Sequence, residues 1–171
     1  MSRFYDQGMA LGKELLGILA LGLELPKDHF DGLINGEDVI KTCRAHRYFL
    51  GTNEPTDRET KDIGAHTDFG AITVLLQDDA WLPVSPVKDA LVVNLGDIMA
   101  RYTNDKYLSN LHRVVSPPRG QPRHSAAVFL VGNPEYVIEG LPSCRKVEEK
   151  PRYEPIKVGD HLIERVSETY Y

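Results

Sequence analysis

Cysteine is scarce in this chain: only Cys43 and Cys144 occur among its 171 residues. Two cysteines so far apart exclude a disulfide framework, and they lack the close pairing that is typical of zinc-binding motifs. We therefore interpret both as ordinary buried thiols. This use of cysteine fits a reducing compartment and predicts a cytoplasmic protein.

Long apolar runs are also missing. The most leucine-rich stretch, residues 15–25, contains Glu24 and is far shorter than the ~20 apolar residues that span a bilayer. Its position and flanking residues differ from those of a secretory signal peptide. The sequence therefore predicts no membrane association, and this stretch is interpreted as part of a buried helix.

An excess of positive charge is the third absence. The formal net charge is −5, and no basic cluster is interleaved with aromatic residues. These features argue against binding to nucleic acid or to anionic membranes. With 42% apolar and 26% charged residues, the composition is typical of soluble globular proteins. The length suits a single domain, which we assign to residues 1–171.

Helical patterns stand at both ends of the chain. Leucines at helical spacing, ended by Pro26, predict a helix over residues 2–25. A short second helix is expected over residues 28–33 and completes a leading helical segment, residues 1–35. The last stretch, residues 158–171, is predicted to form a C-terminal helix.

Between these helices, residues 39–140 are rich in β-forming residues. Short runs such as "IKTCRAHRYFL", "AITVLLQ", "ALVVNL", "LHRVV" and "SAAVFLV" alternate with polar loops. The loops are too short for most parallel crossovers, so antiparallel pairing is favoured. The pattern predicts a sandwich or jelly roll as the core of the domain.

A histidine and a carboxylate stand two residues apart just before the most apolar of these runs. His66 and Asp68 in "GAHTDFGAITVLLQDD" would share one face of an extended segment. Alone they could be an ordinary polar strand, but His112 in "SNLHRVV" begins another β-run. Two histidines and one carboxylate form the facial triad of non-haem Fe(II) oxygenases, which leaves positions open for O₂ and a co-substrate. We therefore predict that these three residues bind Fe(II).

A second pair of polar residues follows His112. Arg123 and Ser125 in "RHS" are also two residues apart and would face the same side of a strand. The planar arginine fork can hold a carboxylate through two hydrogen bonds, and a serine hydroxyl adds a donor. Iron ligands combined with such a carboxylate clamp fit a dicarboxylate that also chelates metal, and 2-oxoglutarate is such a molecule.

Three segments together resemble a known family. "GAHTDFGAITVLLQDD", "ALVVNLGDIMARYTNDKYLSNLHRVV" and "RHSAAVFL" look like the C-terminal half of the 2-oxoglutarate/Fe(II) dioxygenases of the isopenicillin N synthase-like superfamily. The resemblance implies a mainly β fold with flanking helices, a double-stranded β-helix or jelly roll. It implies that His66, Asp68 and His112 correspond to the iron ligands. Arg123 and Ser125 match the family's R-x-S, which grips the distal carboxylate of 2-oxoglutarate.

The same resemblance supplies a third co-substrate candidate. "RAHRY" is similar to the R-L-x-x-Y strand of the family, so Tyr48 would correspond to a tyrosine near the co-substrate. Phe49 stands where the family usually has proline, and core packing is the alternative role for Tyr48. Tyr48 joins Arg123 and Ser125, and these three are called the clamp residues below.

Other polar residues have no place in the motif. His46 is set aside, and His124 lies between two clamp residues and would point to the opposite face. His161 is expected to be exposed on the C-terminal helix. Asn94 and Asp97 flank the turn after "ALVVNL" and are expected to make structural hydrogen bonds.

The sequence departs from the family in two places. Family members usually carry an N-terminal segment of roughly domain size before the leading helix, and here the chain begins at that helix. The family also has a "GLQV" strand, whereas here Asp79 is followed directly by Ala80. We expect an incomplete jelly roll. It is either a truncated product that folds poorly alone, or a minimal enzyme whose open sheet edge is covered by a partner or a second copy.

The resemblance implies an Fe(II)- and 2-oxoglutarate-dependent oxygenase, either monomeric or self-associated through the open edge. It would oxidise a small organic substrate with O₂ by hydroxylation, desaturation or ring closure, and release succinate and CO₂. Three alternatives stay open. The chain could be an inactive relic that binds metal weakly or not at all, a zinc hydrolase with the same ligands, or an iron enzyme that does not use 2-oxoglutarate.

Overall fold

The computed structural model describes residues 2–48, 61–73, 87, 90–115, 123–146 and 148–170. In chain order its elements are α1 (Ser2–Gly22), α2 (Asp31–Ile34), β1 (Ile40–Tyr48), β2 (Lys61–His66), β3 (Ile72–Thr73), β4 (Asn94–Leu95), α3 (Asp97–Tyr102), β5 (His112–Val115), β6 (Arg123–Gly132), β7 (Val137–Ile138), a 3-10 turn (Pro142–Cys144), β8 (Ile156–Lys157) and α4 (Val158–Tyr170). The second half of the "AITVLLQ" run and the Asp79–Ala80 junction lie outside the described residues.

The strands pair in antiparallel fashion. The main sheet has the order β1-β6-β3-β4. β2 pairs with β5 in a second sheet, and β7 pairs with β8 in a third. The antiparallel pairing predicted from loop lengths is confirmed for these strands, which form open sheets and no closed barrel within the described residues.

Small residues let α1 approach β6 closely. A Cβ atom added at Gly8 would be 2.9 Å from Cγ2 of Val128, closer than such atoms normally come. Leu16 and Ala20 of α1 are fully buried. This packing compensates for the low helix propensity of glycine, which costs about 1 kcal/mol per residue in a helix interior.

The first helix ends earlier than the sequence predicts. The pattern indicates a helix over residues 2–25, but α1 stops at Gly22. Glu24 adopts a left-handed φ of 59°, and the backbone N–H of Leu25 donates back to the carbonyl of Ala20. A left-handed residue with such a return hydrogen bond is a common way to satisfy the last carbonyls of a helix.

One hydrophobic core joins the helices to the main sheet. It includes side chains from α1, α2, β3, α3, β6, β7 and α4: Leu16, Ala20, Leu33, Ile72, Ile98, Met99, Leu130, Ile138 and Val158. The short helix α3, which the strand pattern does not predict, contributes two fully buried side chains. Within the described ranges, no helix combines the length and the apolar character that crossing a membrane requires.

One expectation about α4 is wrong. The sequence predicts an exposed His161, whereas only 2% of its surface is accessible. Val158 lies three residues earlier, on the same face of the helix, and it is fully buried. This turn of α4 therefore faces the protein interior.

Candidate metal and co-substrate site

The two candidate histidine ligands face each other across the second sheet. His66 is the last residue of β2 and pairs with His112, the first residue of β5. Their ring centroids are 4.3 Å apart. Antiparallel pairing therefore brings together two residues that are far apart in sequence, as the proposed triad requires.

Asp68 completes a group that can hold a metal ion. Its Oδ1 lies 3.9 Å from Nε2 of His66 and 3.7 Å from Nε2 of His112. All three ligand atoms lie within 4.8 Å of one another. An ion bound at about 2.1 Å from each atom needs donors no more than about 4.2 Å apart, and both histidine–aspartate distances meet this condition. His66 is partly exposed and Asp68 and His112 are buried, so the group has one open side.

Backbone carbonyls orient both imidazole rings. Nδ1 of His66 lies 2.8 Å from the carbonyl oxygen of Gly64. Nδ1 of His112 lies 3.0 Å from the carbonyl oxygen of Asn110. A carbonyl can only accept, so each Nδ1 donates its N–H, and each Nε2, on the side of Asp68, is the ring nitrogen available to a metal ion. This is the second contact that metal-binding histidines usually make, and both rings have it.

The carboxylate of Asp68 is held by β4. The side-chain nitrogen of Asn94 donates a hydrogen bond to Oδ2 of Asp68 over 2.8 Å, and both residues are buried. The other oxygen, Oδ1, remains directed at the two histidines. The backbone N–H of Asp97 donates to the carbonyl of Asp68 over 2.8 Å. The hydrogen-bonding role expected for Asn94 and Asp97 is confirmed, and the direct contact of Asn94 with a candidate ligand is additional.

The three clamp residues lie together on one face of the main sheet. Tyr48 of β1 pairs with Arg123 of β6, and the guanidinium carbon of Arg123 lies 4.4 Å from the centroid of the Tyr48 ring. Ser125 donates a hydrogen bond to the hydroxyl of Tyr48 over 3.3 Å. Tyr48 is 8% exposed. It therefore packs in the interior, as its alternative role predicts, and also contacts Arg123 and Ser125.

The register also places a histidine beside the clamp. His46 pairs directly with Ser125, and its ring centroid lies 5.7 Å from that of Tyr48. The sequence motif leaves His46 out, but two-residue periodicity from Tyr48 could have placed it on this face. His124 pairs with Arg47 and therefore belongs to the opposite face, as predicted.

A family model confirms the class of protein. The model of the 2OG-Fe(II) oxygenase superfamily matches residues 40–132. This stretch is more than half of the chain and contains all the candidate metal ligands and clamp residues. The chain belongs to this superfamily, and the donor set of two imidazoles and one carboxylate fits the superfamily's Fe(II).

Individual relatives agree with this assignment. The chain is 40% identical to the 2-oxoglutarate-Fe(II) type oxidoreductase hxnY of Emericella nidulans, with 98% of this chain and 50% of that protein covered. It is 33% identical to kihadalactone A synthase LFS of Citrus sinensis, with 96% of this chain and 53% of that protein covered. The chain thus spans about half the length of the curated relatives it matches.

A solved structure supports the fold. A full-length Neurospora crassa protein, crystallised in complex with alpha-KG, is 31% identical, with a TM-score of 0.82 over 98% of this chain and 56% of that chain. This similarity confirms the jelly-roll fold of the 2-oxoglutarate oxygenases. The alignment with the Emericella protein extends over 179 positions, more than the 171 residues present here. That relative therefore has residues with no counterpart in this chain.

Proposed function

We propose that this chain forms the catalytic part of an Fe(II)- and 2-oxoglutarate-dependent oxygenase that oxidises a small organic substrate. The observation that carries the proposal is the His66–Asp68–His112 group, in which both histidines have their Nδ1 atoms bonded to carbonyls and their Nε2 atoms near Oδ1 of Asp68. A histidine pair in an ordinary polar strand has no need of this matched orientation.

The metal ligands and the clamp residues have separate tasks. Nε2 of each histidine and Oδ1 of Asp68 would hold the ion, while the hydrogen bond from Asn94 stabilises the charge on the second carboxylate oxygen. Bound Fe(II) would supply the O₂ chemistry in which a substrate C–H bond is oxidised and 2-oxoglutarate is converted to succinate and CO₂. The chain's own residues position the reactants.

The clamp residues would hold the far carboxylate of 2-oxoglutarate. Arg123 can donate two parallel hydrogen bonds to a carboxylate, and its stacking on Tyr48 limits the motion of the guanidinium. Ser125 is exposed on the same face and supplies a further hydroxyl. The charge and geometry of this group suit a carboxylate better than a neutral ligand.

Anaerobic titration of the purified metal-free chain with Fe(II) and then 2-oxoglutarate tests the proposal. The chelate of both is expected to give a visible charge-transfer band. His66→Ala should abolish the band, because one iron ligand is lost. Arg123→Ala should raise the 2-oxoglutarate concentration needed for the band by at least about tenfold, because a charged partner is lost.

Arg152→Ala is the matched control, because Arg152 also pairs with a carboxylate, that of Asp105, but does so outside the candidate site. It should leave the band unchanged. A folded wild-type chain without the band would contradict the proposal and favour the inactive relic. Turnover that persists without O₂ would instead favour the zinc hydrolase.

We also propose a cytoplasmic location and either a monomer or self-association through a sheet edge. Both cysteines are free, which a reducing compartment maintains. β1 is at one edge of the main sheet as described, and exposed strand edges are sites of strand pairing. Light scattering during size-exclusion chromatography would report the mass of the particle.

A further inference from the structure

We propose that Arg165, on the C-terminal helix α4, is a positioning residue for the metal-binding loop. Its guanidinium donates a hydrogen bond from Nη2 to the hydroxyl of Thr67 over 3.0 Å. Thr67 is the residue between His66 and Asp68. The contact therefore joins α4 to the middle of the His66–Asp68 segment.

The same guanidinium also binds Asp97, whose backbone contacts Asp68. Nε of Arg165 donates to Oδ2 of Asp97 over 2.9 Å, and the hydroxyl of Thr67 donates to the same Oδ2 over 3.2 Å. Arg165, Thr67 and Asp97 thus form a closed ring of hydrogen bonds. The backbone N–H of Asp97 also donates to the carbonyl of Asp68. The ring therefore contacts the His66–Asp68 segment at two points, the side chain of Thr67 and the backbone of Asp68.

The guanidinium also covers the residue that follows Asp68. The Cζ atom of Arg165 lies 5.2 Å from the centroid of the Phe69 ring. Asp97 has 15% of its side-chain surface exposed and Arg165 has 31%. Ion pairs at this depth are screened less by salt than exposed pairs are.

The loop needs such contacts because β2 ends at His66. Thr67 and Asp68 lie beyond the strand, and no ladder hydrogen bonds of β2 fix their backbone. An arginine suits both partners, since its planar fork presents several donors in fixed directions, whereas the three donors of lysine share one nitrogen on a flexible stem. Contacts that orient metal ligands from outside the coordination sphere are commonly worth 10–100-fold in metal affinity.

This inference rests on the metal site of the proposed function but not on turnover. The test is titration of the metal-free, full 171-residue chain with Co(II), followed by visible absorption, beside a thermal melt of each metal-free variant. Arg165→Gln should raise the Co(II) dissociation constant by about tenfold or more. Arg165→Lys should recover only part of the affinity, and Arg152→Gln is the matched control with unchanged affinity.

A purely structural role for Arg165 would give a different result. Arg165→Gln would then lower the melting temperature of the metal-free protein and leave the dissociation constant of the folded protein unchanged, and this outcome overturns the inference. If Arg165→Gln does not fold, the pair Thr67→Val and Thr67→Ser decides. The inference requires weaker Co(II) binding in Thr67→Val, which lacks the hydroxyl, than in Thr67→Ser, which keeps it.

A failure of the proposed function is distinguishable from a failure of this inference. If the wild type and His66→Ala bind Co(II) equally, the assignment of His66, Asp68 and His112 as metal ligands is wrong, and the inference about Arg165 is overturned with it. If the wild type binds more tightly than His66→Ala, but Arg165→Gln binds as the wild type does, only the role of Arg165 is overturned.

Discussion

Asn94 and Asp68 form a buried hydrogen bond in which the side-chain nitrogen of Asn94 lies 2.8 Å from Oδ2 of Asp68. The bond has two effects on the candidate metal site. It fixes the carboxylate so that Oδ1 is directed at the histidines, and it satisfies an oxygen that would otherwise be buried without a partner. The orientation of a ligand and the stability of the fold are therefore coupled at Asn94.

Asn94→Ala should weaken metal binding and stability together. Loss of the amide leaves Oδ2 of Asp68 without its donor, which costs about 1–3 kcal/mol in the free energy of unfolding. Metal affinity should fall by about tenfold. Urea denaturation and Co(II) titration measure the two effects. Asn133→Ala, which removes a turn hydrogen bond to the N–H of Glu135, is the control, and an equal loss of Co(II) affinity in it would contradict the role of Asn94.

The clamp residues can be separated from the candidate metal ligands by measuring the binding of 2-oxoglutarate and of Fe(II), the molecule and the ion that the two sets are proposed to hold. Ser125→Ala and Tyr48→Phe each remove one hydroxyl of a hydrogen-bonded pair. Each should raise the dissociation constant of 2-oxoglutarate several-fold, since one hydrogen bond contributes about 0.5–1.5 kcal/mol. Fe(II) affinity measured without 2-oxoglutarate should not change. A parallel loss of Fe(II) affinity would mean that these residues support the fold and do not select the co-substrate.

Features that depend on short sequence spacing were predictable. Arg123 and Ser125 lie two residues apart on β6, so strand periodicity alone indicates a shared face. His66 and Asp68 have the same spacing, but β2 ends at His66, so the spacing indicates their proximity while the loop after the strand sets the position of Asp68. The helix at each end of the chain likewise follows from local patterns. His112 could be added because it begins a β-run, although only the β2–β5 register shows that it faces His66.

Features that depend on packing between distant segments were not predictable. Asn94 and Asp68 are separated by 26 residues, and Arg165 and Thr67 by 98. No periodicity within one segment indicates such pairs. His161 illustrates the same point, because its burial is decided by the side of α4 that packs inward and not by the polarity of its neighbours in sequence.

Gly96 is a position where one methyl group should disturb the metal site. A Cβ atom there would lie 2.7 Å from the carbonyl oxygen of Asp68 and would also collide with the carbonyl of Gly70. Because both contacts are with backbone, the loop that carries Asp68 would have to move. Gly96→Ala should cost about 1–3 kcal/mol in the free energy of unfolding and weaken Co(II) binding.

Gly140→Ala is the control. Its new Cβ would be 3.7 Å from its nearest neighbour, the carbonyl oxygen of Arg101, so stability and Co(II) affinity should not change. Unchanged Co(II) binding in Gly96→Ala would show that the loop has room to adjust.

His161 should make stability depend on pH. Burial lowers the pKa of His161 below its ordinary value of 6.5, and the nearby positive charges of Arg101 and Arg165 lower it further. Asp97 and Glu164 act in the opposite direction and do not outweigh these effects. His161 is therefore neutral in the folded protein at a pH where the same residue in the unfolded chain already binds a proton.

The sign of the effect follows from proton binding. Between the lowered pKa and 6.5 the unfolded state binds more protons, so the free energy of unfolding falls as the pH falls through this window. The loss is about 1.4 kcal/mol for each unit by which the pKa is lowered. Urea midpoints of the metal-free protein should therefore decrease more between about pH 7.5 and pH 5.5 in the wild type than in His161→Gln, which has no titrating group at this position. Equal decreases in the two proteins would contradict the prediction and would mean that protonation of His161 does not lower the free energy of unfolding.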